Sequence, residues 1–290
     1  MMQSSSAQPD RHYMHLFVDN LTNVDFSYLH PQRGLLGETW LASTQLEGAL
    51  DHQGMVCDFG IVKKTLRNWL DDELDHRLAV PIKSPNLSYR IDGDHIELSW
   101  KFDQGTLFCR SPRQAIALVD AELITPDSCS HWARQQLQPL LPDSVDRLAL
   151  DFGIEAINGD FYHYSHGLKK HDGNCQRIAH GHRSRLHIWR NGEPALDLEQ
   201  HWAKLFTDIY IGTRDDISKH SDGILTFNYS TSQGDFELSL PEQCCYLIDT
   251  DSTVEFIAHH IATTLKQQYP EQSFTVKAYE GMGKGALVSL

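Results

Sequence analysis

Two histidines separated by a single glycine, His180 and His182, lie in the segment NCQRIAHGHRSRLHIWR at residues 174–190. Alternate side chains of a β-strand share a face, so both imidazoles can reach one metal ion. Cys175 lies five residues before the first of them. Metal ions and cationic neighbours favour the thiolate of a cysteine, which is then a base or a nucleophile. The segment predicts a metal centre with a reactive group beside it, although an isolated pair of this spacing is more often solvated.

A third ligand is required for a catalytic zinc site, in which three protein ligands leave one coordination position open. His166 ends the preceding strand-like run and is the expected third ligand. His163 and His171 compete for this place. Because His163 lies an odd number of residues from His166, it faces the other way on a regular strand.

Composition bounds the class of protein. The chain has 290 residues, of which 40% are hydrophobic and 22% charged, enough for one large domain or two ordinary ones. A net charge of −14 argues against binding to nucleic acid or to an anionic membrane. No apolar run is long enough to span a membrane. We expect a cytoplasmic protein whose polar N-terminus, residues 1–12, is a disordered tail.

The cysteines and the local charge add two further expectations. The six cysteines lack the spacing of a disulfide framework and are expected to be free thiols. Residues 166–190 contain six basic side chains and one acidic one. Such segregation suits a polyanionic ligand such as a triphosphate ester. An exposed strand face with ordinary charges is the alternative.

The chain contains a weak internal repeat. Residues 104–153 align with residues 233–282 without a gap. Identical residues include the pairs Gln104 and Gln233, Gly105 and Gly234, Pro112 and Pro241, and Gln114 and Gln243. In this alignment Asp151 falls on Glu280. The repeat predicts two copies of one domain.

Hydrophobic patterns predict the same elements in each copy. In the first copy, a helix begins after a cap at Asp58, and a hairpin turns at Asp92–Gly93. A second helix within 127–140 precedes a strand. The second copy repeats this order. Each copy is therefore an α+β unit whose antiparallel strands carry two helices on one face, and its open edges favour assembly.

Several segments resemble motifs of the 6-pyruvoyl-tetrahydropterin synthase and 6-carboxytetrahydropterin synthase family. The segments are GMVCDFGIVKKTLRNWLDDELDH at 54–76, YHYSHGL at 162–168, CQRIAHGH at 175–182, STVE at 252–255 and VKAYEGMG at 276–283. The resemblance implies the tunnelling fold, with active sites between neighbouring units. We expect two tandem tunnelling-fold domains, each a four-stranded antiparallel sheet with two helices on one face. Their expected bounds are residues 13–154 and 155–290.

The motifs are divided between the two copies. In the first copy, Leu36 and Glu38 of LLGETW stand where the second has its two zinc-segment histidines. That copy keeps Asp75 and His76, for which the second has the segment GTRDD at 212–216. Each copy thus lacks what the other retains. A fused pair with one functional kind of site would tolerate this loss.

The resemblance implies Zn²⁺ as the cofactor and assigns the catalytic residues. The implied zinc ligands are His166, His180 and His182. Cys175 would be the general base, and Asp75 and His76 would form a proton relay. A polar helix end, where histidine is favoured by the helix dipole, is the alternative for Asp75 and His76.

The resemblance also implies two substrate contacts. Glu280 would accept hydrogen bonds from the planar N–H groups of a pterin. A simple charge at a strand end is its alternative. Thr253 would line the same pocket, or would only cap its helix.

These residues predict a zinc-dependent lyase that eliminates triphosphate from 7,8-dihydroneopterin triphosphate. The product would be 6-pyruvoyl-tetrahydropterin, or 6-carboxytetrahydropterin on a route to deazaguanine nucleosides such as queuosine. A carbon–carbon lyase acting on the unphosphorylated pterin is a further possibility. A non-catalytic protein that binds a pterin or purine, or that serves in assembly, is the rival interpretation. We expect a homo-oligomer, a trimer of two-domain chains or a dimer.

Overall fold

The structure, a computed structural model, describes residues 13–290, so the tail expected at 1–12 lies outside the described residues. Domain 1 consists of eight strands and two helices. Its strands are β1 (Tyr13–His30), β2 (Gly34–Ala49), β3 (Leu78–Pro81), β4 (Leu87–Asp92), β5 (His95–Phe102), β6 (Gly105–Pro112), β7 (Ile116–Val119) and β8 (Val145–Ile154). Its helices are α1 (Phe59–Glu73) and α2 (Pro126–Leu137).

Domain 2 repeats this order of elements and adds two strands, one before its first helix and one at its end. Its strands are β9 (Phe161–His166), β10 (His180–Arg190), β11 (Glu193–Pro194), β12 (Ile209–Thr213), β13 (Ile217–Ser221), β14 (Ile224–Thr231), β15 (Gly234–Pro241), β16 (Cys245–Ile248), β17 (Phe274–Tyr279) and β18 (Gly285–Ser289). Its helices are α3 (Leu196–Leu205) and α4 (Val254–Gln268). Over residues 13–290, no helix is both long enough and apolar enough to cross a membrane.

Each domain has a main sheet that carries its two helices. The strand orders are β7-β3-β1-β2-β8 and β16-β12-β9-β10-β17-β18. The short strands β3, β7, β12 and β16 pair in parallel, so each sheet has more strands than the four expected. The apolar face of α1 begins after the cap, where Asp58 accepts hydrogen bonds from two backbone N–H groups. The predicted α+β class is confirmed.

A third sheet joins the domains edge to edge. Its order is β13-β14-β15-β6-β5-β4, with β6 and β15 antiparallel and Cys109 opposite Leu238. Glutamines that are identical in the sequence repeat form hydrogen bonds across this junction. Gln114 Nε2 donates to Gln233 O and Gln243 Nε2 to Gln104 O, each at 3.2 Å. The two hydrogen bonds are reciprocal, so the domains are related by an approximate two-fold axis.

The domains also cross face to face at two glycines. A Cβ on Gly37 would lie 1.8 Å from Tyr164 O, and one on Gly181 would lie 2.7 Å from the Gly37 Cα. Beside them the hydroxyls of Ser27 and Ser165 are 2.7 Å apart. Any side chain at either glycine would push the sheets apart. This close crossing brings the start of β10 against β1 and β2.

The register of the sheets corrects one detail of the repeat. If Gly37 is equivalent to Gly181, then Leu46 is equivalent to Arg190. Leu46 pairs with Leu148 and Arg190 pairs with Phe274, so Leu148 and Phe274 are equivalent as well. The shift of 129 residues, which holds for Cys109 and Leu238, therefore falls to 126 at the closing strands. The expected match of Asp151 with Glu280 is wrong, because domain 1 has extra residues before its closing strand.

Candidate active site

Three histidines of domain 2 converge at the crossing of the domains. His166 ends β9 and lies opposite His180 at the start of β10, and His182 follows two residues later on the same face. One ring nitrogen of each lies within 4.8 Å of the others. All three side chains are buried. The strand alternation inferred from the sequence therefore brings these imidazoles together.

Each imidazole has an oxygen atom near Nδ1, which leaves Nε2 free. The neighbours of Nδ1 are Ser252 O at 2.8 Å from His166, Arg177 O at 2.9 Å from His180, and Asp25 Oδ1 at 3.2 Å from His182. The Asp25 contact is close but less well aligned than the two hydrogen bonds. Among the described residues, none of the three Nε2 atoms has a hydrogen-bond partner. The carbonyl acceptors at Nδ1 of His166 and His180 fix the tautomer that presents Nε2 to a metal ion.

The protonation of two of these rings also fits metal ligation. Burial holds the pKa of His166 well below its ordinary value, and the neighbouring His182 ring adds to this effect. Burial and then the His166 ring do the same to the pKa of His180. Both rings are therefore neutral, the form that binds a metal. Three buried ring nitrogens without hydrogen-bond partners fit Zn²⁺.

The Asp75–His76 pair of domain 1 reaches this cluster across the domain crossing. His76 has a φ of +55° and its N–H donates to Asp25 O at 2.6 Å. Asp75 pairs with His76 Nδ1 and also accepts from Asp25 N at 2.7 Å. One ligand atom each of His76, Cys175 and His180 lies within 4.8 Å of the others. Burial would lower the pKa of His76, but hydrogen bonds to Asp75 and Cys175 raise it to about 10.

The loop that carries Cys175 is held by a buried glutamine. Gln176 Nε2 donates to Gly173 O at 2.9 Å, and its Oε1 accepts from Ser232 Oγ at 3.1 Å. The Tyr229 hydroxyl donates to the Gln176 carbonyl at 3.0 Å. These contacts tie the loop to β14 and to the turn that follows it. The half-buried thiol of Cys175 is thereby fixed beside His76.

The structure places the two competing ligands elsewhere. His163 faces domain 1, where its Nδ1 lies 2.8 Å from Gly37 O. Burial lowers its pKa to about 4. His171 is exposed and accepts from Gly173 N at 2.8 Å. Neither belongs to the cluster.

Glu280 and Lys284 lie beside the cluster. Glu280 Oε1 lies 3.7 Å from His182 Nε2, and Lys284 Nζ lies 3.9 Å from Glu280 Oε2. Gly281 between them has a φ of +69°, and a Cβ there would lie 2.4 Å from Asp25 Oδ1. Only glycine therefore allows this turn to approach the site.

Thr253 has a simpler environment than the resemblance implied. Its hydroxyl accepts from Phe256 N at 3.3 Å and caps α4. The preceding residue, Ser252, supplies the carbonyl at His166. Thr253 therefore caps its helix and orders the segment that contacts His166.

The six basic residues of 166–190 have partners within the chain. Lys169 pairs with Asp216, Lys170 with Asp251, Arg185 with Glu155 and Arg190 with Asp197, while Arg177 donates to Gln233 and Arg183 to the Glu155 carbonyl. Acidic residues from other segments therefore compensate most of the local positive charge.

Sequence reasoning missed Asp25 and Ser252. Asp25 lies between Val24 and Phe26 in β1, and all three are buried. A charged residue within such an apolar run must find partners, and this was the available signal. The role of the Ser252 carbonyl depends only on the tertiary fold, so no sequence signal indicates it.

Fold and cluster define a two-domain α+β protein with a candidate metal centre where its domains meet. A family model described as 6-pyruvoyl tetrahydropterin synthase matches residues 17–148 and again 158–289. The chain therefore belongs to this family, and the predicted family and tandem tunnelling fold are confirmed.

Solved structures of the same family resemble single halves of the chain. A 6-pyruvoyltetrahydropterin synthase from Plasmodium vivax is 19% identical, with 50% of this chain and 99% of that chain covered and a TM-score of 0.37. A catalytic-residue mutant of the same protein is 18% identical, with the same coverage and a TM-score of 0.39. A 6-pyruvoyl tetrahydropterin synthase from Plasmodium falciparum is 16% identical, with 49% of this chain and 99% of that chain covered and a TM-score of 0.38. No curated protein matches the chain.

Proposed function

We propose that the protein is a zinc-dependent lyase that eliminates triphosphate from 7,8-dihydroneopterin triphosphate to form a 6-substituted tetrahydropterin. The observation that carries the proposal is the meeting of two incomplete sets of residues. The buried histidine cluster belongs to domain 2, and the Asp75–His76 pair beside it belongs to domain 1. Members of the family are lyases, which supports the reaction class.

The zinc ligands in this proposal are the Nε2 atoms of His166, His180 and His182. When bound, the ion supplies Lewis-acid polarisation of substrate oxygens, which acidifies an adjacent C–H group. The Nδ1 contacts of the three rings hold their orientation, so little reorganisation is needed on loading.

Proton transfer in this proposal is the work of Cys175 and His76. The Cys175 thiolate removes the substrate proton, and the His76 ring beside it favours the thiolate by hydrogen bonding. The Asp75 carboxylate holds His76 Nδ1 and so directs the other ring nitrogen toward Cys175. Glu280 accepts the pterin N–H groups, a role that suits a carboxylate beside the site.

Turnover of the triphosphate substrate tests the proposal. Zinc-loaded protein is incubated with 7,8-dihydroneopterin triphosphate, and product mass and released triphosphate are measured. Cys175→Ala should reduce the rate by about 100-fold or more, since a general base contributes that much. Cys245→Ala is the matched control, because Cys245 is another half-buried thiol but lies outside the cluster. Absence of turnover by the zinc-loaded protein would refute the proposal, and product mass distinguishes a 6-pyruvoyl from a 6-carboxy product.

A second candidate follows from the compensated charges. Because the basic residues of 166–190 have partners, this segment offers few free cations to a triphosphate. The unphosphorylated pterin, either cleaved or only bound, is the substrate or ligand this observation favours. Comparing turnover and binding of dihydroneopterin with those of its triphosphate separates the two candidates.

We also propose a homo-oligomer in the cytoplasm, a trimer of two-domain chains or a dimer. Strands β4 and β13 form the two edges of the shared sheet, and Tyr89 and Ile91 on β4 are exposed. Such edges pair readily with further strands. Light scattering coupled to size exclusion measures the mass in solution, and a monomer would contradict this proposal.

A further inference from the structure

Asp25 lies at the point where the two sets of site residues meet. It belongs to β1 of domain 1, and its side chain is buried. Its backbone N–H donates to Asp75 Oδ1 at 2.7 Å, and its carbonyl accepts from His76 N at 2.6 Å. The backbone of one residue therefore positions both members of the acid–base pair.

The side chain of Asp25 points to the other half of the site. Its Oδ1 lies 3.2 Å from His182 Nδ1 and accepts from Thr39 Oγ1 at 2.6 Å. Its Oδ2 lies 3.2 Å from Lys284 Nζ. A buried carboxylate is costly without partners, and here groups from three different segments provide them.

We propose that Asp25 is a positioning residue that couples the two halves of the site, holding the His182 tautomer with its carboxylate and the Asp75–His76 pair with its backbone. This inference rests on the metal site of the proposed function. Within residues 13–290, His182 has a carboxylate at Nδ1, whereas His166 and His180 have carbonyls. A carboxylate at Nδ1 raises the basicity of a histidine ligand more than a neutral acceptor does.

The two-fold relation supplies a matched control. In the counterpart position, His163 takes the place of Asp25 and Glu38 takes the place of His182. Glu38 Oε2 lies 3.8 Å from His163 Nδ1, and Glu38 and Asp25 are each 4% exposed. Both carboxylates are buried near a histidine of the other domain, but only the histidine beside Asp25 belongs to the cluster.

The affinity for zinc, measured by competition with a chelator, tests the inference without substrate. Asp25→Asn should weaken binding by roughly 10- to 100-fold, because an amide can donate to Nδ1 and so place the proton on Nε2. The visible absorption of the Co²⁺-loaded protein should change in parallel. Glu38→Gln should leave affinity and spectrum as in the wild type. Wild-type affinity in Asp25→Asn would overturn the inference.

The ¹⁵N shifts of the metal-free histidines separate positioning from general destabilisation. The His182 proton should lie on Nδ1 in the wild type and on Nε2 in Asp25→Asn, because the amide can donate to Nδ1. The same His182 tautomer in both proteins would overturn the inference. If Asp25→Asn does not fold, ¹⁵N shifts of the wild-type metal-free histidines decide, and a proton on His182 Nε2 would contradict it. Zinc binding that depends on Asp25 without lyase activity would refute only the proposed function.

Discussion

The histidine cluster and its counterpart in domain 1 share one backbone arrangement and differ in chemistry. The cluster pairs His166 with His180 across β9 and β10, and the counterpart pairs Tyr28 with Leu36 across β1 and β2. Glu38 stands where domain 2 has His182. The comparison teaches that the sheet crossing alone does not bring three imidazoles together. The side chains at three positions decide whether a histidine cluster forms.

The acid–base positions differ in the same way. His76 in domain 1 corresponds to Asp208 in domain 2, since both have a positive φ and both donate N–H to the adjacent strand. The expected match with the GTRDD segment at 212–216 is therefore wrong, because α3 and the connection before it are shorter than their counterparts in domain 1. Asp208 accepts hydrogen bonds from two side-chain nitrogens of Arg33, Nε and Nη2. An ion pair between domains thus occupies the counterpart of the His76–Cys175 contact.

Loop length explains why a cysteine is found on one side only. Residues 31–33 join β1 to β2, whereas residues 167–179 join β9 to β10. The longer connection can fold back beside the cluster and present Cys175. A three-residue turn has no room for this, and it presents Arg33 instead.

Removing one histidine of the cluster should produce the largest difference in zinc binding between the two counterpart positions. His180→Ala should abolish stoichiometric zinc binding, because two remaining imidazoles do not form a closed three-ligand site. Leu36→Ala at the equivalent position should leave zinc binding intact. It should lower the free energy of unfolding by about 2–5 kcal/mol, since Leu36 is fully buried. Metal analysis and urea unfolding measure both, and equal zinc loss in the two variants would contradict the comparison.

Much of this arrangement could be predicted from local patterns. The Asp58 cap, the hairpin at Asp92–Gly93 and the shared face of His180 and His182 each depend on neighbouring residues, and the structure contains all of them. Asp25 could not be assigned a role, because its partners come from segments distant in sequence. The pairing of Asp208 with Arg33 could not be predicted for the same reason.

Stability should depend on pH through the counterpart site. Burial raises the pKa of Glu38 from its ordinary value of 4.5 to about 7. Between these values the unfolded chain loses this proton while the folded protein keeps it. The stabilisation is therefore complete below pH 4.5 and is lost as pH rises through about 7.

Glu38→Gln isolates this contribution. From pH 4.5 to pH 8 the wild type should lose about 3 kcal/mol more unfolding free energy than the variant, on a scale of about 1.4 kcal/mol per pKa unit. The neighbouring His163 titrates in both proteins, so its contribution largely cancels in the difference. Urea unfolding at several pH values measures the two curves. Parallel curves would show that Glu38 is not the responsible group.

The smallest effect should come from the Arg33–Asp208 ion pair, the counterpart of the His76–Cys175 contact. Arg33→Met should lower the free energy of unfolding by roughly 1 kcal/mol, because the pair is partly exposed and such pairs contribute little. This decrease in the free energy of unfolding should be smaller in high salt, because salt screens exposed charges. Zinc affinity should stay unchanged, since Arg33 contacts Asp208 on the other side of the two-fold axis. A fall in zinc affinity would mean that the two sites are energetically coupled through the domain crossing at Gly37 and Gly181, and not independent.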